Sequence, residues 1–434
     1  MRLSAASISA ICAFSVASAD AASSDFDASK FKPEDIIERD VAVIGGGSSS
    51  TYAAIAVKDA GKSVIVVEKK ARMGGHASTY TDAETNKAVD MGIIIFHNIT
   101  EVRDFYDRFD LPLSPSDSFL NPALHFDFRT GKEVTPAFQS TPEEMMAAFG
   151  RYMEVYNKYP ELMNGTLLPD PVPKELYQPF GDLIEEHELH AAVPPMYFYN
   201  PGVGNIPVSR NVSEIFAKAE AELLSDSSVL LSSVVTKADR PENDSDVKLV
   251  VHTPEGSELI IAKKLIIAIP PKLDYLAPFD LSKQESSLFC KYINSGYYVG
   301  VLAKSGFTDD AAITSSVAGN TVFQFPNLPA AYSFAGSPIP GLQLVTYATE
   351  QTSRSEPMTD DEVMSEVIAS VKRLQKENPD LYEDTEPEFV DFHSHAPYSL
   401  QVRAEDIKNG FYDKLSLLWK YTKDHVIPEV LAGL

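Results

Sequence analysis

The chain has 434 residues, with 62 acidic against 37 basic side chains, a formal net charge of −25, and 44% apolar residues. That length accommodates two domains of about 100–200 residues each, and the apolar share is ample for packed cores, which excludes an intrinsically disordered chain. So acidic a surface repels nucleic-acid phosphates and anionic lipid, and it favours solubility.

At the N-terminus Arg2, an apolar stretch over 3–16 and the small residues Ala17, Ser18 and Ala19 read as a secretory signal peptide, 1–19, removed before Asp20. The expected location is therefore secreted or the lumen of the secretory pathway. Of two cysteines, Cys12 lies in the signal, so Cys290 has no partner for an internal disulfide. No later apolar run approaches the roughly 20 residues that span a bilayer, so no membrane span is expected. Four Asn-x-Ser/Thr sequons, at Asn98, Asn164, Asn211 and Asn243, suit a glycosylated protein. Residues 20–38 are polar and read as a loose lead-in.

The pattern then sharpens. Residues 41–44 form a short apolar β run, Gly45, Gly46 and Gly47 break it, and 50–60 read as a helix of small and apolar residues. Strand, tight turn and helix in this order hold a dinucleotide. Gly45 permits the sharp turn, and Gly47 lets a pyrophosphate approach the unpaired amides at the positive end of the helix, beginning with Ser48. The third glycine position holds Ser50, small enough to let helix and strand pack. A second apolar strand over 63–67 ends in Glu68, where a carboxylate accepts hydrogen bonds from a ribose 2′-OH, with Lys69 next to it.

The run EKKARMGGHAS places the glycine pair Gly74 and Gly75 just past that strand. This arrangement resembles the flavin amine oxidase superfamily, and the continuation TYTDAETNKAVDMGIIIFHN over 79–98 is similar to its fungal branch of β-cyclopiazonate dehydrogenase-like proteins. The resemblance implies FAD as cofactor. It further implies that the glycine pair lies close to the ribityl and pyrophosphate, that His76, which replaces the usual arginine, touches the flavin or its phosphates, and that Gly92 of the VDMG run sits beside the isoalloxazine.

From 100 to about 192 the pattern is helical, with Thr141, Pro142, Glu143 and Glu144 forming a capped helix start. Met145, Met146, Phe149, Met153 and Tyr156 fall at helical spacing and read as a plain hydrophobic face rather than a substrate lining. These helices resemble the insertion that covers the flavin in amine oxidase folds. A helix over 211–224 and a strand over 229–240 follow, and there the resemblance implies that the backbone at Val234 and Val235 pairs with adenine. A hairpin turned at Pro254, Glu255 and Gly256 leads into the buried strand 265–269, ended by Pro270 and Pro271. Residues 285–384 carry further strands with alternating apolar positions and one long helix, consistent with a sheet over the flavin.

The expected fold class is α/β: an FAD-binding Rossmann-type, glutathione reductase-like domain built from 40–99, 205–280 and 385–434, with a second α+β substrate or cap domain from 100–204 and 281–384. A flavin performs the electron chemistry itself, so no catalytic triad is required. The sequence has no HExxH, no paired CxxC, no GxSxG and no P-loop, which disfavours zinc hydrolysis, serine acyl transfer and P-loop NTP hydrolysis.

Candidates for pocket roles are Asp90, His97, Tyr199 within the run 196–199, and His395. The resemblance places His393, His395 and Tyr398 at the far end of the substrate cavity. Read as a metal site, the HxH pair lacks a third ligand, so no metal is expected. In the resembled family a glycine-alanine-rich turn follows the GFY segment and closes over the flavin. Here Gly410, Phe411 and Tyr412 run straight into the terminal helix. The expected function is an FAD-dependent oxidoreductase of fungal specialised metabolism that removes hydride from a small organic substrate, with O2 or another acceptor reoxidising the flavin. Two alternatives are a degenerate, non-catalytic secreted protein on the same fold, and a UDP-sugar mutase-like flavoprotein, which would need clustered arginines for a diphosphate.

Overall fold

A computed structural model describes residues 25–93, 96, 98–115, 123–160, 168–199, 207–208, 211–241, 245–319 and 322–421. The first nucleotide-binding piece comprises β1 (Ile36–Ile44), α1 (Ser48–Asp59), β2 (Val64–Val67) and the antiparallel hairpin β3 (Ala77–Thr81) with β4 (Ala88–Gly92). Next come α2 (Thr100–Arg108), β5 (Ser114–Pro115), β6 (Ala123–Asp127), β7 (Lys132–Glu133), α3 (Pro142–Tyr156), α4 (Phe180–Glu186), α5 (Val193–Tyr199) and β8 (Pro207–Val208). The chain returns through α6 (Val212–Ser225), β9 (Val229–Leu230), β10 (Val234–Asp239), β11 (Val247–Thr253) and β12 (Gly256–Ile267). It ends with α7 (Lys283–Phe289), β13 (Ile293–Ser295), β14 (Tyr297–Ala303), β15 (Ala312–Ser315), β16 (Ala330–Gly336), β17 (Leu342–Ala348), α8 (Asp360–Glu377), β18 (Glu388–Ser394), β19 (Tyr398–Gln401), α9 (Ala404–Lys408) and α10 (Phe411–Tyr421).

Two sheets dominate. The first has the order β10-β11-β12-β1-β2-β9, with β12, β1, β2 and β9 parallel and β10 and β11 added antiparallel. Alternation sorts its side chains: Val41, Val43, Val64 and Val66 face α1 and α6, while Ala42, Ile44, Ile65 and Val67 pack with Leu249, Val251 and Ile260. Both faces are covered, as a parallel sheet requires. β1 begins at Ile36 instead of Val41, because the long β12 supplies partners from Leu259 opposite Ile36 to Ile267 opposite Ile44. The polar residues of the lead-in are therefore partly strand.

The second sheet has the order β18-β14-β17-β16-β15-β6-β7. α8, started by a capping box of Thr359 and Glu362, covers one face with Val363, Val367, Val371 and Leu374. The segment 388–394, expected with the nucleotide-binding pieces, is β18, paired to β14 at the edge of this second sheet. α3 starts with the expected cap, Thr141 and Glu144 forming a reciprocal capping box. Its expected apolar face is buried only in part: Met145, Phe149 and Tyr156 are half-buried and Met146 and Met153 exposed, while Ala148, Tyr152 and Val155 on the adjacent side pack inward, the last two against the cluster of Leu183, Ile184, Leu189 and Val193.

Candidate cofactor and substrate site

The glycine turn after β1 is closed on three sides. At Gly45, φ is +103°, and a Cβ there would lie 2.9 Å from Ile269 Cγ2 and 3.0 Å from the Ala268 carbonyl, so only glycine fits under the segment leaving β12. Glu68, 6% exposed, folds back over the turn: its Oε2 accepts from Gly46 N at 2.5 Å and its Oε1 from Lys70 N at 2.7 Å. Gly47 is the N-cap of α1 and offers no side-chain cap, and Ser48 and Ser49 beyond it are exposed. Ser50, at the third glycine position, is fully buried, and its Oγ donates back to the Gly47 carbonyl at 3.0 Å, where Thr51 Oγ1 also donates at 2.8 Å. Serine is tolerated there because its hydroxyl is satisfied inside the first turn.

The glycine pair lies against this turn. Gly74 N donates to the Gly46 carbonyl at 2.7 Å, and Gly75, at φ +57°, approaches so closely that a Cβ would stand 2.9 Å from Gly47 Cα. The loop carrying the pair is pinned from several directions. Arg72 donates to the Ala77 carbonyl and to Ser78 Oγ, Glu220 of α6 accepts from Met73 N at 2.7 Å, and Lys70 Nζ donates to the Gly75 carbonyl at 3.1 Å. Such a cradle fits a nucleotide diphosphate. The first-turn amides of α1 carry no side-chain cap, and each carboxylate oxygen of Glu68 keeps a lone pair for a ribose hydroxyl beyond the amide it already accepts. Hydrogen bonds from Ser233 N to the Glu68 carbonyl and from Ser232 N to the Lys70 carbonyl anchor the start of β10 at the tip of β2. Val235 sits there, buried beside a bulge in β10, and Lys69 is exposed at the rim with Nζ 5.2 Å from the Tyr275 ring centroid.

At the other end of the cradle the structure brings His76, Gly92 and His395 together. Gly92 has φ +92°, and a Cβ there would collide with the His76 carbonyl and stand 2.7 and 2.9 Å from His395 Cε1 and Nε2. The two imidazoles meet edge to face with centroids 5.2 Å apart. Burial, with Lys70 and Lys69 nearby, lowers the pKa of His76 to about 4; burial, with His76 and His393 nearby, lowers that of His395 to about 3. Both are neutral at physiological pH. Asp90, a candidate for a pocket role, is instead committed to structure: its Oδ1 accepts from Thr79 Oγ1 at 2.6 Å and from Val212 N at 2.9 Å, capping α6, and burial raises its pKa.

His97 lies outside the described residues, as does the side chain of Tyr199, whose backbone ends α5. His393 pairs with Asp391 at 3.3 Å, and among the described residues no group of three metal-ligating side chains occurs. Arg72, the arginine nearest the glycine pair in sequence, is spent on its own loop, and among the described residues no further arginine joins it at the glycine turn. Sequence reasoning missed Tyr297, whose ring stacks on His395 at 5.7 Å, and Tyr332, whose ring lies 6.4 Å from that of Tyr297; the alternation of β14 was the available signal for the first. α10 packs on α7 and α9 through Phe411, Leu415 and Leu288.

A Rossmann-type turn with an acid at the tip of the second strand, a glycine pair against it and a second sheet packed on the β3–β4 hairpin define a dinucleotide-binding protein. The family model of an NAD(P)-binding Rossmann-like domain matches residues 43–109. The chain is 44% identical to the FAD-dependent oxidoreductase oblC of Cochliobolus heterostrophus, covering 93% of this chain and 94% of that protein. It is 34% identical to the FAD-dependent oxidoreductase dbaF of Emericella nidulans over 97% of each, and 29% identical to the beta-cyclopiazonate dehydrogenase of Aspergillus oryzae over 92% and 94%. Its fold is similar to that of the CLA-producing fatty acid isomerase from P. acnes, with a TM-score of 0.63 at 16% identity over 88% and 92% of the two chains. Putrescine oxidase bound to putrescine superposes with a TM-score of 0.55 at 15% identity, over 86% and 90%.

The chain belongs to the family of fungal FAD-dependent oxidoreductases. Its cofactor is FAD. The alignment to oblC runs over 453 positions, whereas 93% of 434 residues is about 404, so about 49 positions of that relative have no counterpart here.

Proposed function

We propose that this oxidoreductase takes a hydride from a carbon of a small organic substrate, at a C–N or C–C position, and that O2 reoxidises the flavin. The observation that carries the reading is the glycine turn in which the uncapped first-turn amides of α1, Glu68 and the contact of Gly75 with Gly47 meet, with His76, Gly92 and His395 gathered beyond the glycine pair. FAD, when bound, supplies the two-electron chemistry. The amides of Ser48 and Ser49 would hold the pyrophosphate, Glu68 would hold the ribose, and the uncharged His76 imidazole would flank the cofactor without adding a positive charge.

Purified protein should be yellow, its visible absorption should bleach when substrate is added without air, and air should restore it. A folded, colourless protein that takes up no FAD would refute the reading, and bleached protein that fails to recover in air would remove O2 as acceptor.

A secretory route completes the proposal. It is supported by the signal-like pattern of 1–19, which lies outside the described residues, and by the exposure of Asn98 in its sequon. Protein recovered from the medium of a fungal host should lose mass on treatment with an N-glycosidase, and retention inside the cell without glycan would contradict this placement.

A further inference from the structure

We infer that Lys272 is a positioning residue for the cofactor turn: its amine clasps the loop 352–356, which leads from β17 to α8, onto the segment 268–276 that lies over Gly45, and so makes FAD affinity depend on a contact with the second domain.

The segment begins where β12 ends. Ala268 N donates to the Ile44 carbonyl at 2.9 Å, and Ala268 and Ile269 are the residues that close over Gly45. Beyond them stand Pro270 and Pro271, which have no N–H to donate, so the backbone there cannot tie itself to a neighbour as a donor. The next residue supplies the tie with its side chain. Lys272 is 4% exposed, and its Nζ donates to the Tyr292 carbonyl at 3.0 Å, just before β13, and to the Ser353 carbonyl at 2.9 Å, in the loop after β17.

Lysine is almost never buried so deeply without a carboxylate partner. Here it donates to carbonyls, and Asp274, the acid whose charge acts on it, is engaged by Ser355 Oγ at 2.7 Å. Burial lowers the pKa of Lys272 while Asp274 acts in the opposite sense. A side chain kept at that cost marks a place that needs a donor with several N–H groups, since an apolar one would take from two carbonyls the partner they have.

The acceptors are themselves held still. Asn294, fully buried, exchanges backbone hydrogen bonds with Thr352 at 2.9 and 2.7 Å, and its Nδ2 donates to the Ser355 carbonyl at 3.2 Å. The loop meets the segment at two further points, through Ser355 on Asp274 and through the Tyr275 hydroxyl, which donates to Glu356 Oε1 at 3.4 Å. The Tyr275 ring also reaches the other side of the turn, where Lys69, next to Glu68, places Nζ 5.2 Å from its centroid. Residues 268–276 thus touch the turn at Gly45 and at Lys69, with Lys272 fixing the stretch between to the second domain. Close packing at Gly45 passes any shift of the segment on to the turn.

The test titrates FAD into flavin-stripped protein, followed by flavin fluorescence, with thermal unfolding of the stripped protein as a second readout. Lys272→Met keeps the apolar stem and removes the amine, and should raise the FAD Kd by about tenfold. Ser355→Ala, a milder change that leaves Lys272 in place, should raise it by about threefold. Arg373→Met is the control: it takes a guanidinium from the Phe128 carbonyl near the opposite end of α8, and should lower the unfolding midpoint while leaving the Kd unchanged. In Lys272→Ala, added propylammonium should restore FAD affinity, and propanol, of the same length but uncharged, should not. Folded Lys272→Met or Ser355→Ala protein with wild-type affinity for FAD overturns the inference. So do equal rises of Kd in Lys272→Met and Arg373→Met, which would reflect a general loosening of the fold, and equal rescue by propanol, which would reduce Lys272 to a packing role.

Discussion

Replacing Gly75 by alanine tests the contact on which the cofactor cradle depends. Two costs act at this position. The backbone sits at φ +57°, where a Cβ costs about 1–2 kcal/mol, and the new methyl would stand 2.9 Å from Gly47 Cα, a backbone atom that no rotamer change can move. Relief requires the two glycine turns to separate by several tenths of an ångström, and forced overpacking of this kind costs about 1–3 kcal/mol more. Gly61→Ala is the matched control: φ is +71° but nothing lies within 4 Å of its Cβ, so it carries the first cost alone. Both changes restrict the unfolded chain equally, so that effect cancels in the comparison. With FAD titrated into flavin-stripped protein and followed by flavin fluorescence, Gly75→Ala should raise the Kd by about tenfold or more, as expected if 1.4 kcal/mol of the overpacking falls on the bound state. Gly61→Ala should leave the Kd unchanged. Equal FAD affinity in the two variants would refute the idea that the close approach of the glycine turns shapes the cofactor site.

Glu68→Ala removes the acceptor for the Gly46 and Lys70 amides, and hydrogen bonds to a charged group are worth about 1.5–3 kcal/mol each, so FAD affinity should fall by at least about tenfold, with partial recovery in Glu68→Gln; an unchanged Kd in the same titration would remove Glu68 from the site. Acid should expose the buried imidazole of His395. Its folded pKa of about 3 lies below the unfolded value of 6.5, so the unfolded chain binds the extra proton, and stability present above pH 6.5 falls by up to about 1.4 kcal/mol per pH unit on the way down. His395→Gln should flatten the decline of the unfolding midpoint between pH 6.5 and 4, and parallel declines in wild type and variant would contradict the assignment. Tyr298→Phe deletes a buried hydroxyl that donates to the Met358 carbonyl at 2.9 Å and accepts from Met358 N at 3.1 Å, so it should cost about 1–3 kcal/mol by leaving those groups unpaired. Its Km should not move, and a raised Km with unchanged thermal stability would reverse the roles of the two faces of β14.

The parts of this molecule that were legible in advance are those whose geometry is set by a few adjacent residues. Gly45, Gly47 and Glu68 marked a turn between strand and helix because a sharp turn, a bare helix end and a strand-terminal acid each require a particular residue at a particular spacing, and the folded chain places them after β1, at the N-cap of α1 and just past β2. Thr141 and Glu144 announced a helix start for the same local reason. Where a partner far along the chain decides the outcome, local reading gave out. The start of β1 at Ile36 is set by the length of β12, the buried side of α3 by the position of α4 and α5, and Asp90 is drawn away from the pocket by the free amide at the start of α6.

Tyr297 and Tyr298 show why the pocket itself belonged to the second kind. As adjacent aromatic residues in an apolar strand they are equivalent in composition and propensity, and alternation says only that they face opposite ways. Which side becomes core is decided by α8, which delivers Val363, Val367 and Val371 to the face of Tyr298 and leaves the face of Tyr297 to the β3–β4 hairpin. The hairpin ends in Gly92, whose lack of a side chain lets His395, on the chain entering β19, lie against it. The junction of the hairpin with the second sheet is thus filled by the His76 carbonyl and the His395 ring, an approach that a methyl group at Gly92 would block.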